Sequence, residues 1–493
     1  MSKLAHMPQL PLVPAPKFIS EPSGVLPATK FRLGFSGFSP SLSAEVQTAW
    51  DQVANVTLAG SGLSVADDSS LPLLTLSLSD GFGPEAYELV ISSDIRISAG
   101  TMPGLYNGLR TLAQLALSGN GLPQLVIKDE PRYAWRGLSL DLVRHWYGVD
   151  AIYRVIDLMA AYKFNVLHLH LTDDQGWRIE IPAYPALTEL GSRSQVGGPV
   201  PDDVRAYLTL DEYREIQEYA LARGITVVPE VDLPGHINAA LHAIPELNPD
   251  GIATEPNYDT KVGISQLRVD NPATAPFITA VIKTFCENTL GDYVHIGGDE
   301  VPNLAADEYN ELVTFANNVA LANGKNVVAW QEAAHMADYP DSNTTLPLIQ
   351  FWHPRIDPAP MVNAAKQGAG IILSPADYIY LDMKYDENDP IGLAWNGHVD
   401  LAKSRNWEPA ELVPGLPVEQ IVGIEGALWS ETCRSTEDLL ALIFPRLAAV
   451  ADLAWTAPGN SETFIERLAP HAELWQSWEI PQISIDRLAA AAS

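Results

Sequence analysis

The sequence predicts a (β/α)8 barrel preceded by a small α+β domain, and three observations carry that expectation. After Pro131, eight short apolar runs of strand character alternate with helical segments. The chain has 493 residues, enough for a barrel of roughly 250 residues plus an accessory domain. Ionisable and aromatic residues gather where the runs end, the face on which such barrels carry their sites.

Residues 1–25 are proline-rich and read as an extended arm. Between 26 and 130, apolar alternation at 74–78 and 87–91 predicts strands, and the pattern at 106–116 predicts an amphipathic helix, so this stretch is the α+β domain. Residues 131–493 are assigned to the barrel. Its strands are expected at 137–142, 165–171, 225–231, 293–297, 326–330, 346–352, 370–373 and 422–428. Helices are expected at 209–222, 274–286, 307–321 and 436–450, each with apolar residues at helical spacing. No glycine-rich dinucleotide or phosphate fingerprint follows any strand, so no cofactor is expected.

Bulk properties narrow the partners. A formal charge of −31 repels phosphate backbones and anionic lipid, which argues against nucleic acid. No run of about 20 apolar residues would span a bilayer, and the first residues lack the apolar stretch of a signal peptide, so the compartment stays open. Cys286 and Cys433 are the two cysteines, too few for a disulfide framework or a cysteine-based zinc site, although one bridge between them is conceivable.

The strand ends are unusually polar. The second expected strand runs into His168-Leu-His170-Leu-Thr-Asp173, the third into Asp232-Leu-Pro-Gly-His236, the fourth into Gly-Gly-Asp299-Glu300, and the eighth into Trp429-Ser-Glu431. A buried ionisable group is expensive unless paired or used, so several of them on separate strands at one rim point to a shared site. Trp177, Trp330, Trp352, Trp395 and Trp429 recur at the same level. Rigid aromatic faces beside carboxylates suit a sugar, with its CH-rich ring faces and its hydroxyl edge.

Asp299 and Glu300 are sequence neighbours, which does not suit the usual glycosidase pair on opposite sides of the scissile bond. The coherent alternative gives Glu300 the leaving-group oxygen as general acid, while Asp299 meets the sugar's 2-substituent. If that substituent is an acetamide, its own carbonyl oxygen can attack the anomeric carbon. Asp299 then orients the amide N–H and stabilises the oxazolinium that forms.

These stretches resemble glycoside hydrolase family 20, the β-N-acetylhexosaminidases, over nearly the whole chain. The resemblance rests on His295-Ile-Gly-Gly-Asp-Glu, on Trp135-Arg-Gly-Leu-Ser-Leu-Asp-Leu-Val-Arg-His, on Leu167-His-Leu-His-Leu-Thr-Asp-Asp-Gln-Gly-Trp, on Val231-Asp-Leu-Pro-Gly-His and on Leu428-Trp-Ser-Glu. Family 20 is a recognised substrate-assisted exception to the two-carboxylate scheme. The resemblance implies a retaining exo-acting enzyme that removes terminal β-linked GlcNAc or GalNAc, a carbohydrate as its partner, and no metal. It further implies that Arg136 and Glu431 hold the outer hydroxyls, with Asp382 and Trp395 near the O6 side and Asp173 in the same pocket. Tyr380 would donate to the acetamido carbonyl, Trp330, Trp352 and Trp429 would wall the methyl, and Asp232 and His236 would support Glu300 through a hydrogen-bond relay. The stretch 197–209 departs from the family pattern and bears on the leaving-group side. Three other readings compete: a disaccharide-releasing member of the family, a metal-dependent hydrolase built on His168 and His170, and a sugar-binding protein without catalysis.

Overall fold

Strands buried on both faces must be covered by helices, and eight of them form a closed parallel barrel in the computed structural model of the protein, which describes residues 9–38, 58, 60–119, 121–338, 345–456 and 463–492. They are β1 (Trp135–Asp141), β2 (Val166–His170), β3 (Thr226–Glu230), β4 (Tyr293–His295), β5 (Asn326–Trp330), β6 (Leu348–Phe351), β7 (Ile371–Leu373) and β8 (Ile421–Leu428). Each overlaps an expected run. β1 pairs with β2 through Gly137 and Val166 and with β8 through Trp135 and Gly423, which closes the ring.

The period of two along each strand grades the barrel interior from apolar to polar. Val166, Val228 and Val328 join Trp135 and Ile372 in an apolar plug at the N-terminal end. Two residues further on, the same strand faces carry His168, Glu230 and Trp330, and two further still come His170, Asp232 and Glu332. The site therefore sits on a packed floor.

Local signals explain the helices. Helix Leu210–Leu221 opens with a capping box in which Thr209 and Glu212 satisfy each other's backbone N–H groups. The helix expected at 436–450 is instead two, Thr436–Ile443 and Arg446–Trp455, because Pro445 has no N–H to donate and disfavours helical geometry at Phe444.

The N-terminal domain has a seven-stranded sheet backed by helix Met102–Leu115, which begins earlier than its apolar pattern because Thr101 caps it and Pro103 fits its first turn. The expected arm is extended but docked. Phe18–Ile19 pairs with Val126–Asp129 at the sheet edge, and Leu12 and Val13 are buried. The two parts of the chain meet around Asp129, which accepts from Lys163 Nζ (3.1 Å), Tyr87 Oη (2.7 Å) and Trp455 Nε1 (3.0 Å). Cys286 and Cys433 are both buried free thiols. Among the described residues no helix is long and apolar enough to cross a membrane.

His471 pins the arm. It donates Nε2–H to the Pro11 carbonyl (3.0 Å) and accepts from the Tyr162 hydroxyl at Nδ1 (2.9 Å), an arrangement that requires a neutral ring. Burial pulls its pKa down to about 4 from an ordinary 6.5. The unfolded chain therefore takes up this proton first, so the contribution is complete above pH 6.5 and is lost as pH falls toward 4. His471→Gln should lose roughly 2 kcal/mol less unfolding free energy than wild type between pH 6.5 and 4.5. Urea denaturation at the two pH values checks this, and equal losses would contradict it.

Candidate active site

The segment after β4 decides the site's geometry. On an extended strand Asp299 and Glu300 would face opposite ways. Here Gly297 (φ 69°), Gly298 (φ 109°) and Glu300 (φ 52°) are all left-handed, so the chain turns and delivers both carboxyls to one cavity. His236 Nε2 lies 3.3 Å from Glu300 Oε2 and 3.8 Å from Asp299 Oδ2. Glycine is obligatory at 297, because a Cβ there would lie 1.8 Å from Asp232 Oδ1. That same oxygen accepts the Gly298 N–H at 3.0 Å and fixes the turn.

His236 turns its other nitrogen to Asp173, not to Asp232, with Nδ1 at 3.0 Å from Asp173 Oδ1. Asp173 Oδ2 in turn accepts from His170 (2.8 Å) and Arg144 (2.8 Å). Burial opposes charge on each of these groups, but mutual attraction outweighs it: Arg144 and His236 hold Asp173 well below the carboxylate range, and Asp173 and Asp232 hold His236 well above the usual imidazole value. His236 is therefore a cation beside Glu300. At Asp232 and Asp299 burial outweighs the pull of His236 and raises both, with Asp232 the next cause at Asp299.

The cavity at this end of the barrel has a volume of about 250 Å³. Asp173, Asp232, His236, Asp299, Glu300, Trp352, Tyr380, Asp382, Trp395, Trp429 and Glu431 all line it, as expected from the sequence. Trp352 stacks on Tyr380 with ring centres 6.3 Å apart and an angle of 10°, and Tyr380 meets Trp429 edge-on at 6.1 Å. Trp395 is 44% exposed and forms the lip. Burial, followed by Asp299 and Asp382, raises the Tyr380 hydroxyl well above its usual range, which keeps it a donor.

Three expected residues lie elsewhere. Arg136 is at the N-terminal end of β1, on the opposite side of the barrel from the cavity, because β1 starts at Trp135. Its guanidinium pairs with Glu85, donates to the Lys163 carbonyl at 2.9 Å and lies over Trp455, so it serves the seam with the N-terminal domain. Trp330 is fully buried behind Trp352, Tyr380 and Trp429, and donates to Glu230 at 2.7 Å. Trp177 is likewise buried and donates to the Ile179 carbonyl. The arginine of the cavity is Arg144, eight residues further along the same motif and just past the C-terminal end of β1. It lies over Trp429 at 5.1 Å, and although burial disfavours its charge, Asp173, Asp141 and Glu431 hold its pKa well up. The strand-end rule applied to that motif selects Arg144 over Arg136. His170, His353, Thr260, Val262 and Leu393 complete the wall.

The cavity's polar atoms describe its ligand. Asp299 Oδ1, both Asp382 oxygens and Glu431 Oε2 are buried without a hydrogen-bond partner. Burial and the neighbouring Glu431 raise Asp382, and burial raises Glu431 while Arg144 opposes it. Converging acceptors, one phenolic donor and an aromatic wall fit a polyhydroxylated ring bearing an amide with a small apolar group.

Beneath the cavity, His168 donates to Glu425 (2.8 Å) and Glu230 (3.1 Å), Trp330 also donates to Glu230, and Gln350 donates to Glu425 (2.9 Å). Burial works against charge on His168, but the two glutamates carry its pKa up to about 9. His168, Glu230 and His295 have potential ligand atoms within 4.8 Å of one another, yet both nitrogens of His168 and both of His170 already face carboxylates. His168, His170 and Glu230 are thus engaged in a hydrogen-bonded layer, while His295 Nε2 is buried without a partner.

Comparisons with known proteins match this architecture. Residues 133–317 and 303–458 match the profile of glycosyl hydrolase family 20, catalytic domain, and residues 9–130 that of glycosyl hydrolase family 20, domain 2. A β-N-acetylhexosaminidase from Cellulomonas fimi is 40% identical over 495 residues, spanning 97% of this chain and 98% of that protein. The Streptomyces plicatus N-acetyl-β-hexosaminidase in complex with Thio-NAglucal superimposes with a TM-score of 0.86 at 36% identity, covering 97% of this chain and 99% of that one. A mutant of the Streptomyces plicatus β-hexosaminidase in complex with the product GlcNAc gives a TM-score of 0.85 at 36% identity, with 97% of each chain covered.

The two arginines separate in a simple test. Arg144→Ala should lower kcat/KM on an aryl hexosaminide by about a hundredfold or more, through a lost charged contact in the cavity. Arg136→Ala should instead cost roughly 3 kcal/mol of stability, by stranding Glu85, with turnover per folded molecule near wild type. Urea midpoints and rates normalised to folded protein check both, and the reverse pattern would return Arg136 to the site.

Proposed function

The chain belongs to glycosyl hydrolase family 20 and is a β-N-acetylhexosaminidase, and we propose that its cavity takes one terminal β-linked N-acetylhexosamine and uses that sugar's acetamide as the nucleophile. The observation that carries the reading is the set of unmatched acceptors at Asp299, Asp382 and Glu431 facing the retained Tyr380 hydroxyl.

In this reading Arg144 and Glu431 hold the outer hydroxyls, with Asp382 and Trp395 toward O6. Trp352 and Trp429 flank the acetamido methyl, and Trp330 backs them. Asp299 accepts the amide N–H while Tyr380 donates to the carbonyl oxygen, which directs that oxygen at the anomeric carbon. As its lone pair forms the new C–O bond, the glycosidic C–O bond breaks and Glu300 gives its proton to the leaving oxygen. Glu300, now a carboxylate, draws a proton from water as the water's oxygen opens the oxazolinium from the face the leaving group vacated. Two displacements at one carbon retain the β configuration.

The electrostatics favour the transition state over the bound substrate. Burial and Asp232 disfavour a negative Asp299, and the cationic His236 only partly offsets them. Positive charge developing on the ring formed from the acetamide reverses that preference, so the attraction is strongest when the barrier is crossed. The cationic His236, held by Asp173, supports Glu300 as it becomes a carboxylate. Arg144, Asp382 and Glu431 together also favour a pocket that ends at one sugar, and thus exo action over release of a disaccharide.

Two substitutions test the assignment. Glu300→Gln should slow substrates with poor leaving groups by about 10²–10⁴-fold and activated aryl glycosides far less. Asp299→Asn should slow both classes by roughly a hundredfold or more. A thiazoline mimic of the bicyclic intermediate should inhibit wild type strongly, whereas weak inhibition together with a trapped glycosyl ester on the protein would contradict substrate assistance.

A further inference from the structure

Glu332 follows β5 and is not among the residues that wall the cavity. It is mostly buried, and burial and the neighbouring Asp299 dominate the influences on its carboxyl. Its two oxygens serve two donors from different parts of the site. Oε1 faces the backbone N–H of Glu300 at 3.5 Å, and Oε2 accepts the indole N–H of Trp352 at 3.1 Å.

Both donors need a partner. Glu300 sits at φ 52°, a conformation that is strained for a non-glycine residue and persists only where surrounding contacts hold it. Trp352 is 6% exposed, so its indole N–H would otherwise be left unpaired at a desolvation cost. One side chain thus spans the general acid and the aromatic wall that stacks on Tyr380.

We propose that Glu332 is a positioning residue that braces the backbone of Glu300 against the indole of Trp352, fixing the distance between the proton donor and the wall that holds the acetamide. The proposal rests on the roles assigned above to Glu300 and Trp352. Burial and the neighbouring Asp299 push the Glu332 carboxyl up to about 8, so near neutrality the brace works through a neutral carboxyl and adds no second buried charge beside Asp299.

The test compares Glu332→Leu and Glu332→Gln at neutral pH on two substrates, an activated aryl glycoside and one with a poor leaving group. Glu332→Leu removes both acceptors and should reduce kcat on the poor leaving group about tenfold more than on the activated one, with KM little changed. Glu332→Gln keeps the carbonyl acceptor and should recover most of that loss. Equal losses on both substrates would make Glu332 merely structural, and a Gln variant as impaired as the Leu variant would mean that the group acts by charge; either result overturns the proposal. Glu300→Gln is run in parallel: if it fails to discriminate the leaving groups, the assignment of the acid is at fault and not the brace. Should Glu332→Leu not fold, the indole N–H resonance of Trp352 supplies the readout. It should move in Glu332→Gln, and an unmoved resonance would overturn the contact.

Discussion

The left-handed turn after β4 is the constraint on which the site depends. Two successive carboxyls can reach one sugar only if the strand's alternation is broken, and Gly297, Gly298 and Glu300 break it with three positive φ angles. The turn has no room for error, since Asp232 fills the space a Cβ at 297 would take and accepts the N–H of the next residue. Strain and close approach are thus concentrated where Asp299 and Glu300 turn into one cavity. Because both carboxyls then lie within 4 Å of the same imidazole, they cannot sit on opposite faces of the ring as acid and nucleophile. The acetamide fills the missing role.

The barrel beneath makes that turn affordable. From the N-terminal plug upward, its interior passes from valines and isoleucine to an ordered layer of histidines, glutamates and tryptophan, then to the cavity. Signs alternate along the polar path: Glu230, His170, Asp173 and His236 lead to Glu300, each touching the next. Paired in this way, the buried charges hold one another in place and leave little room for side chains to reorient as charge moves at the cavity. Asp299, Asp382 and Glu431 keep oxygens unmatched, and they face the cavity where a ligand's donors arrive.

Much of this was legible in the sequence because the relevant signals are local. All eight barrel strands were expected from apolar runs, and their polar ends located the rim. Two-residue strands such as Phe18–Ile19 carry no periodicity and were not found, and the seven-stranded sheet was seen at only two of its runs, although Lys30–Ser36 and Ile95–Ala99 alternate as well. Pro445 was overlooked inside a helical apolar pattern. Arg136 was chosen although Arg144 is the one that lines the cavity, since both stand in one motif and only the start of β1 shows which lies at the C-terminal rim. The exchange of Asp232 for Asp173 as partner of His236 depends on which loop folds over the cavity, a tertiary fact with no local signature. Glu332 carries no local signal of a task, because its meaning lies in two donors from elsewhere in the chain.

The most direct measurement of the central claim varies the nucleophile itself. Aryl glycosides whose N-acetyl group carries none, one, two or three fluorines differ little in shape but progressively starve the carbonyl oxygen of electron density. If that oxygen attacks the anomeric carbon, kcat/KM falls steeply and monotonically along the series while the leaving group stays the same. A flat series, with the trifluoroacetyl substrate turned over nearly as fast as the parent, would show that the acetamide only binds and that the nucleophile lies elsewhere.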